Sequence, residues 1–97
     1  MQAHITLIQE PQSIQHVVIG QSDVMISCRA KCILSPCPGL TYQWYFKSTE
    51  LEDEDKHVLF LMIDSQAKQG FYYCIVQCGC PLKCNVKSNQ AFISVGN

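Results

Sequence analysis

The stretch Gly70-Phe71-Tyr72-Tyr73-Cys74-Ile75-Val76 decides the fold, together with two earlier segments that share its pattern. The earlier segments are Val24-Met25-Ile26-Ser27-Cys28 and Tyr42-Gln43-Trp44-Tyr45-Phe46. Successive side chains of a strand point to opposite faces, so Cys28, Trp44 and Cys74 each belong to the apolar face of a strand. Two cysteines on facing strands, with an aromatic residue between them, are typical of two packed sheets. The pattern therefore predicts an all-β sandwich with Trp44 and Tyr72 in its core.

These segments resemble the B, C and F strands of immunoglobulin domains. Tyr72 stands two residues before Cys74, where the tyrosine corner of that family lies. The resemblance covers nearly the whole chain, and it implies a two-sheet immunoglobulin-like β-sandwich with Greek-key topology and about seven strands. The separation of Cys28 and Cys74 leaves no room for the C′–C″ hairpin of antibody variable domains. We therefore expect the intermediate or constant-like type.

Cys28 and Cys74 are expected to face one another across the sandwich. In an oxidising compartment they would form an inter-sheet disulfide, which restricts the unfolded chain by roughly 4 kcal/mol in the entropy model. In the alternative, they are two buried free thiols that pack as small apolar side chains.

Length and charge limit the function classes. Ninety-seven residues with a formal net charge of −1 make one domain over residues 1–97, which we expect to be excised from a larger protein. No basic cluster for nucleic acid is present, and no apolar run reaches the ~20 residues that a membrane helix needs. Neither a phosphate-binding glycine loop nor a nucleophile elbow is found, so we predict no enzyme. Because no long apolar run is present, we predict no insertion into a membrane.

Alternation and turn residues divide the chain into short segments typical of an all-β domain. Strands are predicted over residues 4–10, 14–19, 22–30, 40–47, 58–63, 70–77 and 91–95. The polar segment 48–57 is expected to hold short edge strands or a plain crossover. Its acidic residues are Glu50, Glu52, Asp53, Glu54 and Asp55. Their spacing matches no calcium loop, so they indicate a solvated face that protects a sheet edge.

Five further cysteines lie in the two loops predicted at one end of the sandwich. They are Cys32 and Cys37 in the B–C loop, and Cys78, Cys80 and Cys84 in the F–G loop. Seven cysteines are an odd number, so they cannot all pair within this chain. Disulfides that staple the two loops are the first interpretation, and their connectivity does not follow from the sequence. A structural zinc site with four of these thiolates is the alternative, and plain thiols are the third.

Either linkage would stiffen the tip formed by the B–C and F–G loops, and stiffening lowers the entropy cost of recognition. Leu34, Leu82 and Lys83 are therefore the candidate contact residues for a protein partner. In the competing interpretation, the staples only hold long loops together. Tyr45 and Phe71 are expected to point away from the core and form a second candidate contact face.

Two functions compete. The first is a non-catalytic protein–protein recognition domain of a receptor, adhesion molecule or secreted immune-type protein, outside the cell or on its surface, because the cysteine density favours an oxidising compartment. The second follows from a closer resemblance of Cys28-Arg29-Ala30, segment 42–47 and segment 69–74 to the immunoglobulin domains of paracaspases. It implies a cytoplasmic scaffolding domain of a signalling protein, without the catalytic domain. A homo-oligomer through a sheet face or edge is a further prediction.

Overall fold

The computed structural model describes residues 5–32, 39–52, 54–79 and 85–96. These ranges contain ten strands and one short 3-10 helix. The strands are β1 Ile5–Gln9, β2 Ile14–Val18, β3 Val24–Ser27, β4 Arg29–Cys32, β5 Leu40–Phe46, β6 Thr49–Glu50, β7 Val58–Leu61, β8 Gly70–Cys78, β9 Asn85–Lys87 and β10 Ala91–Gly96. The 3-10 helix is Gln66–Lys68. No helix in these described ranges is long and apolar enough to cross a membrane.

The strands form two layers. The larger layer has the order β2-β10-β8-β5-β6, with β9 also paired to β8. Its strands are antiparallel neighbours except for β2, which runs parallel to β10. The smaller layer consists of the antiparallel pairs β1–β4 and β3–β7, which continue one another because only Cys28 separates β3 from β4. This architecture is the all-β sandwich that the alternation predicted.

One core lies between the layers. Trp44 of β5 and the inward side chains Tyr72, Cys74 and Val76 of β8 are almost fully buried. The smaller layer contributes apolar residues from β1, β3 and β7, which belong to the same cluster. This apolar burial is the main stabilising term of the fold. The core therefore contains Cys28, Trp44, Tyr72 and Cys74, which lie on the apolar faces of the three segments quoted at the start.

Three local features differ from the predicted elements. The predicted strand B is interrupted at Cys28, and the predicted E–F turn contains the 3-10 helix, in which Ser65 Oγ accepts the Ala67 N–H at 3.2 Å. A further strand, β9, was not predicted. It precedes β10, and both strands pair with β8. Between β9 and β10, the buried Ser88 Oγ accepts the Cys74 N–H at 3.0 Å, so a side chain replaces a missing backbone partner.

Candidate protein-recognition surface

The central residues of the sandwich lie next to one another in the core. Cys28, Trp44 and Cys74 have no solvent exposure. The structure carries Cys28 and Cys74 as thiols in hydrogen-bond contact with one another. The hydrogen bond to Cys28 and burial both raise the pKa of the Cys74 thiol. The two cysteines are thus adjacent, and the disulfide between them stays a prediction.

Hydrogen bonds to backbone carbonyls fix the two large aromatic residues of the core. Trp44 Nε1 donates to the Lys56 carbonyl at 2.7 Å, and Tyr72 Oη donates to the Lys68 carbonyl at 2.6 Å. The second bond has the geometry of the tyrosine corner, in which the hydroxyl reaches backbone a few residues upstream. Burial raises the pKa of Tyr72 to about 12. These bonds satisfy polar atoms that would otherwise be buried without partners.

The described part of the tip lies where β4 and β8 end and β5 begins. Cys32 is the last residue of β4 and Cys78 the last of β8, and both are disulfide-bonded in the structure. The Gly79 N–H donates to the Gly39 carbonyl at 3.0 Å, which joins the two loop bases. The remaining tip residues lie outside the described ranges, namely Cys37, Cys80 and Cys84 and the contact candidates Leu34, Leu82 and Lys83.

The outward side of the larger layer carries aromatic and aliphatic side chains from four neighbouring strands. Tyr45 stacks on Tyr73, with ring centroids 5.0 Å apart and planes 6° from parallel. Phe71 is half-exposed, and its ring meets Phe92 at a centroid distance of 4.9 Å. Ile14, also half-exposed, lies opposite Phe92 in the parallel register of β2 and β10. These five residues form the outer aromatic face.

A cation borders the outer aromatic face. Lys87 of β9 places its Nζ 4.3 Å from the centroid of the Tyr73 ring, within the range of a cation–π contact. Tyr45 and Phe71 were predicted from the sequence to point outward, whereas Tyr73, Ile14 and Phe92 were missed. Alternation within the predicted segment 91–95 was the signal that could have identified Phe92, because its neighbours Ala91 and Ile93 are apolar and buried. Ile14 lies between Ser13 and Gln15, so alternation does not mark it as outward.

The acidic segment is attached to the edge of the larger layer. The Gln43 side-chain amide donates to the Leu51 carbonyl at 2.7 Å, and the Trp44 N–H donates to the Glu54 carbonyl at 3.2 Å. Glu50 and Glu52 are exposed, whereas Asp53 lies outside the described ranges. Among the residues that the structure describes, no group of three or more histidine, cysteine, aspartate or glutamate side chains is arranged to hold a metal ion.

Comparison with known proteins identifies the fold. No protein-family model matches the sequence, and no curated protein matches it. Among solved structures, the N-terminal four Ig domains of Dscam1 isoform 7.44 align with a TM-score of 0.72 and 16% identity over 95% of this chain and 21% of that chain. Extracellular domains 3–5 of Drosophila OTK align with a TM-score of 0.72 and 12% identity over 95% of this chain and 35% of that chain. The structure of Dpr11 IG1 bound to DIP-gamma aligns with a TM-score of 0.72 and 19% identity over 96% of this chain and 48% of that chain.

These alignments cover almost all of this chain, whereas the chain spans about a fifth of the Dscam1 structure. All three named structures contain immunoglobulin domains or extracellular domains, and their low sequence identity restricts the conclusion to the fold. They agree with the adjacent core cysteines Cys28 and Cys74, the buried Trp44 and the tyrosine corner at Tyr72. The chain therefore folds as an immunoglobulin-like β-sandwich domain.

Proposed function

We propose that this chain is a non-catalytic protein–protein recognition domain of a receptor, adhesion molecule or secreted immune-type protein. The outer aromatic face carries the proposal. Two of its residues, Phe71 and Ile14, are half-exposed although they are large and apolar. Contiguous exposed apolar side chains on a soluble domain mark a surface that binds another molecule.

The composition of the outer aromatic face suits an energetic centre of an interface. Aromatic rings supply much contact area at a low cost in side-chain entropy. Tyr73 itself is buried, and the ring of the partly exposed Tyr45 stacks on it. Lys87 adds a positive charge beside these rings. A fitting partner is therefore a protein with an apolar patch next to an acidic side chain.

The tip is the second part of the proposed recognition surface. Disulfides that staple the B–C and F–G loops would hold Leu34, Leu82 and Lys83 in one arrangement, and the disulfide bonds at Cys32 and Cys78 support this. A zinc site with four thiolates would need at least one of these two cysteines as a ligand, because only five cysteines lie in the loops. The disulfide interpretation is therefore favoured over zinc.

An extracellular or cell-surface location is part of the same proposal. Cysteine density indicates an oxidising compartment. Among the similar structures, the OTK domains are described as extracellular, and Dpr11 IG1 is described as bound to another protein, DIP-gamma. Both descriptions support a recognition role outside the cell for a domain of this fold.

The experiment is a binding screen of the purified domain, displayed as a multimer, against an array of purified ectodomains and secreted proteins. A partner should be found whose binding is lost with Phe71→Asp and weakened with K87E. Ile8→Asp is the matched control, because Ile8 is 58% exposed but lies on β1 in the smaller layer. Binding that survives Phe71→Asp, or a domain that binds no protein on the array, would contradict the proposal.

The contribution of the tip is measured separately in the same screen. Lys83→Glu and Leu82→Asp should weaken the binding of the partner without changing the melting temperature. If binding survives both changes together while Phe71→Asp abolishes it, the recognition surface is the outer aromatic face alone.

The cytoplasmic scaffolding role of a paracaspase-like protein is the second candidate. The resemblance of Cys28-Arg29-Ala30, segment 42–47 and segment 69–74 to the immunoglobulin domains of paracaspases supports it. In the cytoplasm Cys28 and Cys74 would stay reduced. A domain purified from a reducing cytosolic host should then fold with all cysteines reduced, or with bound zinc, and keep its melting temperature in reductant. Unfolding on reduction would exclude this candidate.

A further inference from the structure

Strand β7 lies at the edge of the smaller layer. It pairs with β3, and within the described ranges no strand pairs with its other side. The chain that leads into β7 runs along β5 instead, where the Trp44 N–H donates to the Glu54 carbonyl and the Leu51 N–H donates to the Trp44 carbonyl. The backbone of β7 therefore presents an open side on which another strand can form hydrogen bonds.

The register of β3 and β7 determines which backbone groups point to the open side. The Cys28 N–H donates to the His57 carbonyl at 2.8 Å, so these opposed residues form a hydrogen-bonded pair. Such pairs alternate along an antiparallel ladder, and Leu59 is consequently bonded to β3. The N–H and C=O groups of Val58 and Phe60 then point away from β3, to the open side.

Large apolar side chains surround this open side. Phe60 is 65% exposed and Met62 61%, and Met25, which lies directly opposite Phe60 on β3, is 55% exposed. The run from Val58 to Met62 contains no charge and no proline. Soluble proteins use charged residues and proline to protect an edge strand from pairing with another chain. This edge is without that protection.

We propose that a second copy of this chain pairs with β7, antiparallel and centred on Phe60. In this register Phe60 lies opposite Phe60 of the other copy, and Val58 lies opposite Met62. The outward-facing backbone groups of the two strands then meet as hydrogen-bonded pairs. The arrangement has two-fold symmetry, so the same surface serves both copies and no edge of β7 stays open.

Charge complementarity at the two ends identifies a second copy as the occupant. Lys56 lies just before β7 and Asp64 lies just after it, and both are exposed. Pairing centred on Phe60 brings Lys56 of one copy to Asp64 of the other, at both ends of the interface. A register shifted by two residues, the side-chain repeat of a strand, would lose this charge match and would offset the two Phe60 rings.

The paired strands are short, so the dimer is expected to be weak. Interfaces that bury less than roughly 1,200 Å² belong to the transient class. The dimer should therefore form at high concentration, between about 0.1 mM and about 1 mM, and it should dissociate on dilution. The proposal does not depend on the partner proposed above, because β7 and the outer aromatic face belong to different layers.

The first test is sedimentation equilibrium of the wild-type domain over that concentration range. The wild type should dimerise, Phe60→Asp should stay monomeric, and Ile8→Asp should dimerise like the wild type. A wild type that is monomeric at about 1 mM would overturn the proposal. So would a dimer that Phe60→Asp leaves intact, or one that dilution does not dissociate.

The second test swaps the charges. K56E alone and D64K alone should each weaken self-association roughly tenfold, because each places like charges at both ends. An equimolar mixture of the K56E and D64K chains should form a heterodimer of wild-type affinity, since opposite charges meet again at both ends. Both residues are exposed, so the melting temperatures should match the wild type. A mixture that associates no better than either chain alone would overturn the register.

Discussion

The substitution Ser88→Ala tests how the interrupted last strand is held in the larger layer. Ser88 is buried between β9 and β10, where its Oγ accepts the Cys74 N–H at 3.0 Å and donates to the Asn89 carbonyl at 2.9 Å. Its own N–H donates to the Cys74 carbonyl at 2.8 Å. Alanine keeps the backbone bond but removes the acceptor of the Cys74 N–H, in a part of β8 that has no solvent exposure.

An unsatisfied buried donor costs about 1–3 kcal/mol. For a domain of this size, a loss of 1 kcal/mol lowers the melting temperature by roughly 4–8 °C. We therefore expect Ser88→Ala to lower the free energy of unfolding by about 2 kcal/mol and the melting temperature by about 10 °C. Urea and thermal unfolding, followed by Trp44 fluorescence, measure both quantities.

The matched control is Ser94→Ala in β10, because Ser94 is half-buried on the outward side of the same layer. Its effect on the free energy of unfolding should stay within about 0.5 kcal/mol. If the two substitutions destabilise the domain equally, the Ser88 side chain does not replace a backbone partner of β8, and the reasoning is wrong.

Three further predictions concern the core. Because burial raises the pKa of Tyr72 to about 12, above its value of 10.0 in the unfolded chain, stability should be full below pH ~10 and fall as the pH rises to ~12. Tyr72→Phe should remove that loss of stability at alkaline pH, and it should lower the free energy of unfolding by about 1 kcal/mol at neutral pH. A series of melting temperatures against pH would show both effects. Gly70→Ala should cost about 1–3 kcal/mol, since φ is +149° and a Cβ would lie 2.8 Å from the Phe46 ring, whereas Gly96→Ala should be nearly neutral by urea unfolding. Trp44→Ala should cost ~3–5 kcal/mol, and an unchanged melting curve would contradict the proposed core.

The core could be predicted from the sequence because strand alternation is a local property. Trp44 and Tyr72 stand on the apolar faces of their segments, and both are buried. The interruption of the last strand could not be predicted in this way. It depends on Ser88 replacing a backbone partner of a distant strand. Residues 85–87 do alternate between polar and apolar, but three residues are too few to predict a strand.

The exposed edge of β7 was hidden from sequence reasoning for a different reason. The run of apolar residues 58–63 predicted a strand but did not show which of its faces is exposed, and only the alternate residues such as Leu59 and Leu61 are buried. Phe60 and Met62 point to the outward face of the smaller layer and are exposed. Within the described ranges no strand pairs with the open side of β7, and pairing between distant segments is not encoded in local periodicity. The loop cysteines are a similar case, since connectivity depends on which thiols the folded loops bring together.

The most direct test of the proposed recognition domain is the intact mass of the natively purified domain, with alkylation of thiols before and after unfolding. Seven cysteines allow three intrachain disulfides and leave one thiol. A stapled extracellular domain should give three disulfides, with Cys32 and Cys78 protected, and one alkylated thiol. Retained zinc, or alkylation of Cys32 and Cys78 after unfolding, would contradict the stapled tip and place the domain in a reducing compartment.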